Sequence, residues 1–120
     1  SSAALHDIPP VRSDWPTSWK SVRHHLGVSA FGLNAVSKAA GEVLIPPHDE
    51  TSSGQEEVFF VHEGAAVATL DGEEVHLGTG DFVAVQPRVL RSFTAAATPT
   101  TLVAVGAPVG RAFEIGEWER

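Results

Sequence analysis

The 120-residue chain contains no cysteine, which excludes disulfides, thiolate metal ligands and a thiol nucleophile. Basic residues are few, with 8 Lys and Arg against 15 Asp and Glu, and the formal net charge is −7. This acidic balance repels phosphate groups, so neither nucleic acid nor an anionic membrane is an expected partner. No apolar run approaches the roughly 20 residues that cross a bilayer. The first residues lack the charged-then-apolar pattern of a secretory signal, and we expect a cytoplasmic protein.

Helical patterns are also scarce, and from residue 28 onward the chain predicts short strands. Runs rich in Val, Phe, Leu and Thr are separated by glycine or proline about every 8–12 residues, which is typical of all-β proteins. The clearest signal is a pair of alternating segments, Ala66–Leu70 and Glu73–Leu77, joined by Asp71 and Gly72. This pattern predicts a β-hairpin with a type I′ turn. Further strands are predicted at Phe82–Val85 and Thr100–Val105.

The length of the chain favours one domain with a single site. We divide it into an extended N-terminal arm (residues 1–26), a barrel (residues 27–110) and a C-terminal tail (residues 111–120). The arm is rich in proline, which resists regular helix, and it holds Trp15 and Trp19. Two tryptophans need apolar cover, so we expect them to pack on the barrel or on the second subunit of a homodimer.

Two glycine-rich blocks of the chain resemble the paired motifs of the cupins. The first block begins at Gly41, and its Glu57 lies seven positions before Gly64. This is the spacing between the glutamate and the last glycine of the first cupin motif. The second begins at Gly80, with Pro87 seven positions later, as in the family. This resemblance implies a cupin-type antiparallel β-barrel, a double-stranded β-helix or jelly roll, and we expect about six to eight strands.

The resemblance also implies a metal site whose usual histidines are largely replaced. His48 resembles the first histidine and Glu57 the ligating glutamate, whereas Glu50 stands at the second histidine and Arg91 at the histidine of the second motif. His48, Glu50 and Glu57 are therefore the implied ligands of a divalent metal such as Fe, Mn, Zn or Ni. Arg91 would repel that cation unless it turns aside to hold an acidic substrate.

The alternation of side chains along strands places these residues in one pocket. Side chains two positions apart share a face, so Glu57 and Phe59 point to one side of their strand, as Arg91 and Phe93 do on theirs. The expected pocket joins polar groups to aromatic walls, which is the usual composition of a small-molecule site. Arg91, Phe59 and Phe93 are its candidate substrate-binding residues, and His48, Glu57 and Arg91 its candidate catalytic residues.

Two other interpretations of the same residues remain open. Without a metal, Arg91 would pair with Glu57 or Glu50 inside the barrel, and His48 would titrate near neutrality as an acid or base. Alternatively, Glu57 and Arg91 would form a structural ion pair with no ligand.

The remaining histidines are not assigned to this pocket. His24 and His25 are adjacent, and on a strand their side chains would point to opposite faces, so we interpret them as surface or interface residues. His62 lies on the face of its strand opposite Glu57 and is expected outside the barrel.

Two classes of function follow from the resemblance. As an enzyme, the chain would resemble small cupins that isomerise, cyclise or oxidise a modest organic, anionic substrate, with His48 as acid or base and Arg91 as anchor. As a binding module, it would sense or carry a small ligand without turnover. We favour the enzyme because the chain shows no helix-turn-helix segment for a regulatory output.

Overall fold

The structure, a computed structural model, describes residues 1–11 and 19–116 and consists almost entirely of strands. The strands are β1 (Lys20–Ser21), β2 (Gly32–Lys38), β3 (Val43–His48), β4 (Gln55–Glu63), β5 (Ala65–Leu70), β6 (Glu73–Gly78), β7 (Phe82–Val85), β8 (Arg91–Ala95) and β9 (Thr100–Pro108). Helical structure in this part of the chain comprises a 3-10 turn at Leu5–Asp7 and one α-helix, α1 (Val22–Leu26). Over the same residues no helix is long and apolar enough to span a membrane.

Two antiparallel sheets enclose one apolar core. The first sheet has the order β1-β2-β9-β4-β7 and the second the order β3-β8-β5-β6. Inward-facing residues of both sheets, including Val36, Phe59, Phe93 and Leu102, form one buried cluster. The predicted all-β architecture is therefore confirmed. Over the described ranges the strand number is nine, above the expected six to eight, in part because β1 of the arm adds to the edge of β2.

The predicted hairpin is present with its predicted turn. β5 and β6 pair in register from Leu70 with Glu73 to Ala66 with Leu77 and beyond. Asp71 and Gly72 have φ angles of 49° and 84°, which is the left-handed geometry that a type I′ turn requires at both central positions. The strand β7 also begins and ends as predicted.

The long strand β4 lies between β9 and β7 and follows the predicted alternation. Phe59 and Val61 are buried, and their neighbours Val58 and His62 are exposed. His62 thus lies outside the barrel, as expected. The same alternation turns Glu57, near the beginning of β4, toward the interior.

The N-terminal arm, expected to be extended, contains the helix α1. The hydroxyl of Ser21 accepts a hydrogen bond from the backbone N–H of His24, and the helix ends at Gly27, whose φ is 73°. His24 and His25 therefore lie on a helix and not on a strand, and both are exposed. Trp19 packs against the core, as expected, whereas Trp15 lies outside the described residues.

Candidate functional site

His48, Glu50, Glu57 and Arg91 lie together at one end of the barrel. His48 is the last residue of β3 and pairs with Arg91, the first residue of β8. Ligand atoms of His48, Glu50 and Glu57 all lie within 4.8 Å of one another. Nη1 of Arg91 lies 2.5 Å from Oε1 of Glu57. The structure thus brings together the four polar residues that the sequence assigned to one pocket.

The ring of His48 is held by hydrogen bonds at both nitrogens. Nδ1 lies 2.9 Å from the backbone oxygen of Pro46, and Nε2 lies 3.1 Å from Oε1 of Glu50. Because a carbonyl oxygen can only accept, Nδ1 must carry a proton. A neutral ring would then turn a bare Nε2 toward a carboxylate, whereas an imidazolium donates to both oxygens. The hydrogen bond with Glu50 accordingly raises the pKa of His48 above its ordinary value, against the lowering effect of burial.

Glu50 lies in the loop that follows β3 and is held from both sides. Oγ of Ser53 donates to its Oε2 at 2.6 Å, while Oε1 faces His48. Burial favours the neutral carboxyl, but the hydrogen bonds of His48 and Ser53 outweigh it, and the pKa of Glu50 falls below its ordinary value. The side chains of His48 and Glu50 are 40% and 21% exposed, so a small molecule can reach this pair.

Arg91 is fully buried, and its donors are directed at protein oxygens. While Nη1 donates to Glu57, Nη2 donates to the backbone oxygens of Gln86 at 2.7 Å and Val89 at 2.9 Å, and Nε donates to that of Val89 at 3.1 Å. The side chain has 0% exposure. These contacts favour a role in holding Glu57 over the expected contact with an anionic substrate. That contact stays a prediction.

Glu57 lies deeper than His48, with a side chain that is 13% exposed. Burial raises the pKa of Glu57, and the negative charge of Glu50 raises it further, while Arg91 opposes both effects. Gly106 on β9 pairs with Glu57, and a Cβ there would lie 2.9 Å from Cγ of Glu57. Glycine at position 106 therefore leaves room for the stem of this side chain.

The two aromatic candidates lie in the core below the polar residues. Phe59 and Phe93 are 1% and 0% exposed, and their ring centroids are 4.5 Å apart. Phe59 follows Glu57 on the same face of β4, so the ring pair forms an apolar floor to the site. Direct binding of a substrate by these rings stays a prediction.

Three features of the site were not predicted from the sequence. The carbonyl of Pro46 and the hydroxyl of Ser53 gave no signal, because their parts depend on how the chain turns around His48 and Glu50. Gly106 did offer a signal, since an isolated glycine in an apolar strand pattern indicates the close approach of another group.

The donor set fits a divalent metal in part. One imidazole nitrogen and two carboxylates with open positions suit several first-row metals. His48, Glu50 and Glu57 would hold such an ion, and it would supply a Lewis acid to the substrate. The fourth position implied by the cupin resemblance is Arg91, whose permanent charge opposes a cation. The residues therefore fit a three-ligand site but not a four-ligand one.

Comparisons with known proteins agree with this architecture. The family model of the cupin domain matches residues 38–106, more than half of the chain. No curated protein matches. Among solved structures, KdgF from Halomonas sp. is 19% identical with a TM-score of 0.73, over 90% of this chain and 93% of that chain. A sugar phosphate isomerase of the cupin superfamily from Silicibacter pomeroyi is 24% identical with a TM-score of 0.71, over 88% of this chain and 74% of that chain. A predicted oxalate decarboxylase from Thermotoga maritima is 16% identical with a TM-score of 0.70, over 88% of this chain and 97% of that chain. At these identities the likeness shows the fold alone.

Proposed function

The chain belongs to the cupin domain family, and we propose that it is an isomerase-type enzyme that moves a proton on a small organic substrate. The observation that carries this proposal is the ring of His48, hydrogen-bonded between the carbonyl of Pro46 and the carboxylate of Glu50. This arrangement favours a protonated imidazole at an exposed end of the barrel, where it serves as a proton donor.

His48 and Glu57 are the acid and the base of the proposed reaction. Nε2 of His48 donates a proton to a carbonyl oxygen of the substrate, and a carboxylate oxygen of Glu57 accepts a proton from the adjacent carbon. When the adjacent carbon carries a hydroxyl group, the product of these two transfers is an enediol. Glu57 then returns its proton to the former carbonyl carbon while Nε2 of His48 takes back a proton from the hydroxyl of the adjacent carbon, which becomes the new carbonyl. The cycle therefore needs no oxidant and no further reactant.

Glu50 and Arg91 are positioning residues in this scheme. Glu50 keeps His48 protonated, and Arg91 fixes one oxygen of Glu57 at 2.5 Å. Environments that push the pKa values of neighbouring groups apart are typical of acid and base pairs. Burial raises the pKa of Glu57 and so makes it a stronger base than an exposed carboxylate.

The charges of the site admit an anionic substrate. With His48 protonated, it and Arg91 balance the carboxylates of Glu50 and Glu57, so the four groups carry no net charge. A substrate carboxylate therefore meets no net repulsion here, although the whole chain carries a net charge of −7. His48 is the exposed cation of this group.

Metal-assisted chemistry at the same residues is the second candidate function. It is favoured by the cluster of His48, Glu50 and Glu57, whose ligand atoms lie within 4.8 Å of one another. In this alternative the metal supplies the Lewis acid, and His48 is a ligand instead of a proton donor.

Exchange of substrate hydrogen with solvent tests the proposal on a panel of simple organic acids. The protein is incubated in D2O with pyruvate, 2-oxoglutarate and hydroxypyruvate, each of which carries a carbonyl next to a C–H bond, and the loss of C–H signals is followed by proton NMR. We expect exchange that requires both His48 and Glu57, so that His48→Gln and Glu57→Gln each lower its rate at least about 100-fold. The control is His62→Gln on the outer face of β4, which should exchange as the wild type does.

The same assay separates the alternatives. Exchange that is lost with a chelator and restored by Mn²⁺, Fe²⁺, Zn²⁺ or Ni²⁺ would replace the acid–base proposal by the metal-assisted one, and elemental analysis of untagged protein would then show the ion. Ligand binding without exchange of any compound would indicate a binding or sensor cupin and would refute the enzyme.

A further inference from the structure

The outer surface of the first sheet is apolar across four adjacent strands. Val58 and Phe60 point outward from β4, because they alternate with the buried Phe59 and Val61. Directly paired residues of antiparallel strands project from the same face, so the partners of Val58 and Phe60 point outward as well. With these partners, the outer apolar face comprises Leu33, Val58, Phe60, Phe82, Ala84, Val103 and Val105. None of the seven side chains is polar or charged.

Much of the outer apolar face is open to solvent. Phe82 is 66% exposed and Val58 is 36% exposed, and the rings of Phe60 and Phe82 stack with their centroids 5.0 Å apart. Phe82 begins β7, an edge strand that contains neither a charged residue nor proline. Exposed edge strands usually carry such residues, because they prevent pairing with other chains. Since monomeric proteins rarely expose contiguous apolar surface, these features indicate a surface that a partner covers.

The outer apolar face is complementary to a second copy of itself. A two-fold axis that crosses β4 at Phe59 would place Val58 of one copy opposite Phe60 of the other, since each lies one residue from Phe59. Phe59 pairs with the residue between Phe82 and Ala84, so on β7 the same axis places Phe82 opposite Ala84. A large side chain meets a small one at both places. Side chains of two packed sheets can then interdigitate.

The polar residues at the two ends of this face select the direction of the strands. Glu56 and His62 are both exposed and lie three residues before and three residues after Phe59. With the β4 strands antiparallel, the carboxylate of Glu56 in one copy lies near the imidazole of His62 in the other. With the strands parallel, Glu56 would instead lie near Glu56, and like charges across an interface are unfavourable. The antiparallel arrangement is therefore the favoured one.

The size and charge of the face agree with a contact between two copies. Four strands are about 19 Å wide and nine residues of β4 or β9 extend about 30 Å, so the face measures at most roughly 570 Å² in projection. The accessible area of a side-chain surface exceeds its projection, and a standard interface needs about 800 Å² per partner. Each copy carries a net charge of −7, so two copies repel each other least where the contact surface has no charge.

We propose that two copies of this chain associate through their outer apolar faces, with the β4 strands antiparallel across a two-fold axis near Phe59. This contact lies on the first sheet and not on the N-terminal arm, whose Trp19 packs against the core of its own barrel. The proposal concerns the outside of the barrel and does not rest on the proposed function.

Matched lysine variants test the contact by light scattering at micromolar concentration. Val58→Lys and Phe82→Lys should each raise the dissociation constant of the dimer at least about 100-fold, because both copies then bring an unpaired charge into an apolar contact. The molar mass should fall from about twice the monomer mass to 12.7 kDa. The control is Val43→Lys on the second sheet, where Val43 is 46% exposed, and it should leave the dimer intact. Circular dichroism shows that each variant retains the wild-type fold.

Cysteine cross-linking tests the direction of the strands with two mild substitutions at exposed positions. The chain has no cysteine of its own, so each introduced thiol is unique. Glu56→Cys mixed with His62→Cys should give a dimer cross-linked by a short bismaleimide. Glu56→Cys alone should not, because two residues at position 56 would lie about 20 Å apart along the antiparallel strands.

Several results would overturn the proposal. They are a wild type with the monomer mass, a dimer that survives both Val58→Lys and Phe82→Lys, equal dissociation by Val43→Lys, and a mixture of the cysteine variants that gives no cross-linked dimer. Cross-linking of Glu56→Cys to itself would contradict the antiparallel arrangement in the same way. A monomeric wild type that binds phosphatidylcholine vesicles would assign the outer apolar face to a lipid surface instead.

Discussion

Replacing Arg91 by methionine tests whether this residue holds Glu57. Methionine retains much of the buried stem but leaves the carboxylate of Glu57 unpaired at 13% exposure. It also removes the donor from the backbone oxygens of Gln86 and Val89. Breaking a buried pair on one side costs about 3–5 kcal/mol. At about 2.1 cal/mol/K per residue, a chain of this length loses about 4 °C of melting temperature per kcal/mol, so we expect a fall of about 12–20 °C.

Urea denaturation of four proteins measures this effect: the wild type, Arg91→Met, Glu57→Leu and the double variant. If the two side chains form one unit, the double variant loses less free energy of unfolding than the two single variants together, by at least about 1 kcal/mol. Arg88→Met is the control, since Arg88 is exposed in the turn that precedes β8 and its loss should change stability by no more than about 0.5 kcal/mol. A cost below about 1 kcal/mol for Arg91→Met, or additive single costs, would refute the assigned role of Arg91.

Three further predictions concern stability and assembly. Gly64 and Gly72 have similar positive φ angles of 87° and 84°, but a Cβ at Gly64 would lie 2.4 Å from a backbone oxygen, whereas nothing lies within 4 Å at Gly72. Gly64→Ala should therefore cost at least about 2 kcal/mol more than Gly72→Ala in urea denaturation, and equal costs would contradict the steric argument. Because the pKa of His48 is raised and that of Glu50 is lowered, the pair should stabilise the fold fully between about pH 4.5 and pH 6.5 and progressively less as the pH rises through the folded-state pKa of His48. The difference in free energy of unfolding between the wild type and Glu50→Gln should thus shrink between about pH 6 and pH 8. A difference that grows over this range would contradict the assignment of a protonated His48 beside Glu50. We also expect a homodimer, since Phe82 is 66% exposed on β7. The molar mass measured by light scattering at micromolar concentration should be about twice the monomer mass of 12.7 kDa.

The strands could be predicted because local signals determine them. Asp71 and Gly72 specify the turn of the hairpin, and alternation along β4 distinguishes buried Phe59 from exposed His62. The helix α1 could not be predicted, because five residues are too few for a helical period to appear. Its end is fixed by a side-chain contact that no sequence period reveals, the hydrogen bond from the buried Arg23 to the backbone oxygen of Val28 just beyond the helix.

The site could be predicted as a set of residues but not as a set of contacts. The spacing of the motif residues and the alternation of side chains along the strands were enough to predict that His48, Glu57 and Arg91 share one pocket. The partner of Arg91 remained open between Glu57 and Glu50, because this choice depends on the loop after β3. In the structure Ser53 and His48 hold Glu50, which leaves Glu57 for the guanidinium.

Arginine at position 91 determines which positive charge of the site can be gained and lost. A histidine there would be neutral when ligating a metal, and a metal would then balance the nearby carboxylates. Arginine cannot lose its charge, so it balances Glu57 permanently and leaves Glu50 as the carboxylate that still needs a positive partner. In this structure that partner is His48, through Nε2 at 3.1 Å. The exchangeable positive charge is then a proton on an exposed imidazole, which is what the proposed acid–base cycle requires. Arg91 therefore supports the proposed chemistry, in which the pair of His48 and Glu50 has a use that a structural ion pair of Glu57 and Arg91 would not give it.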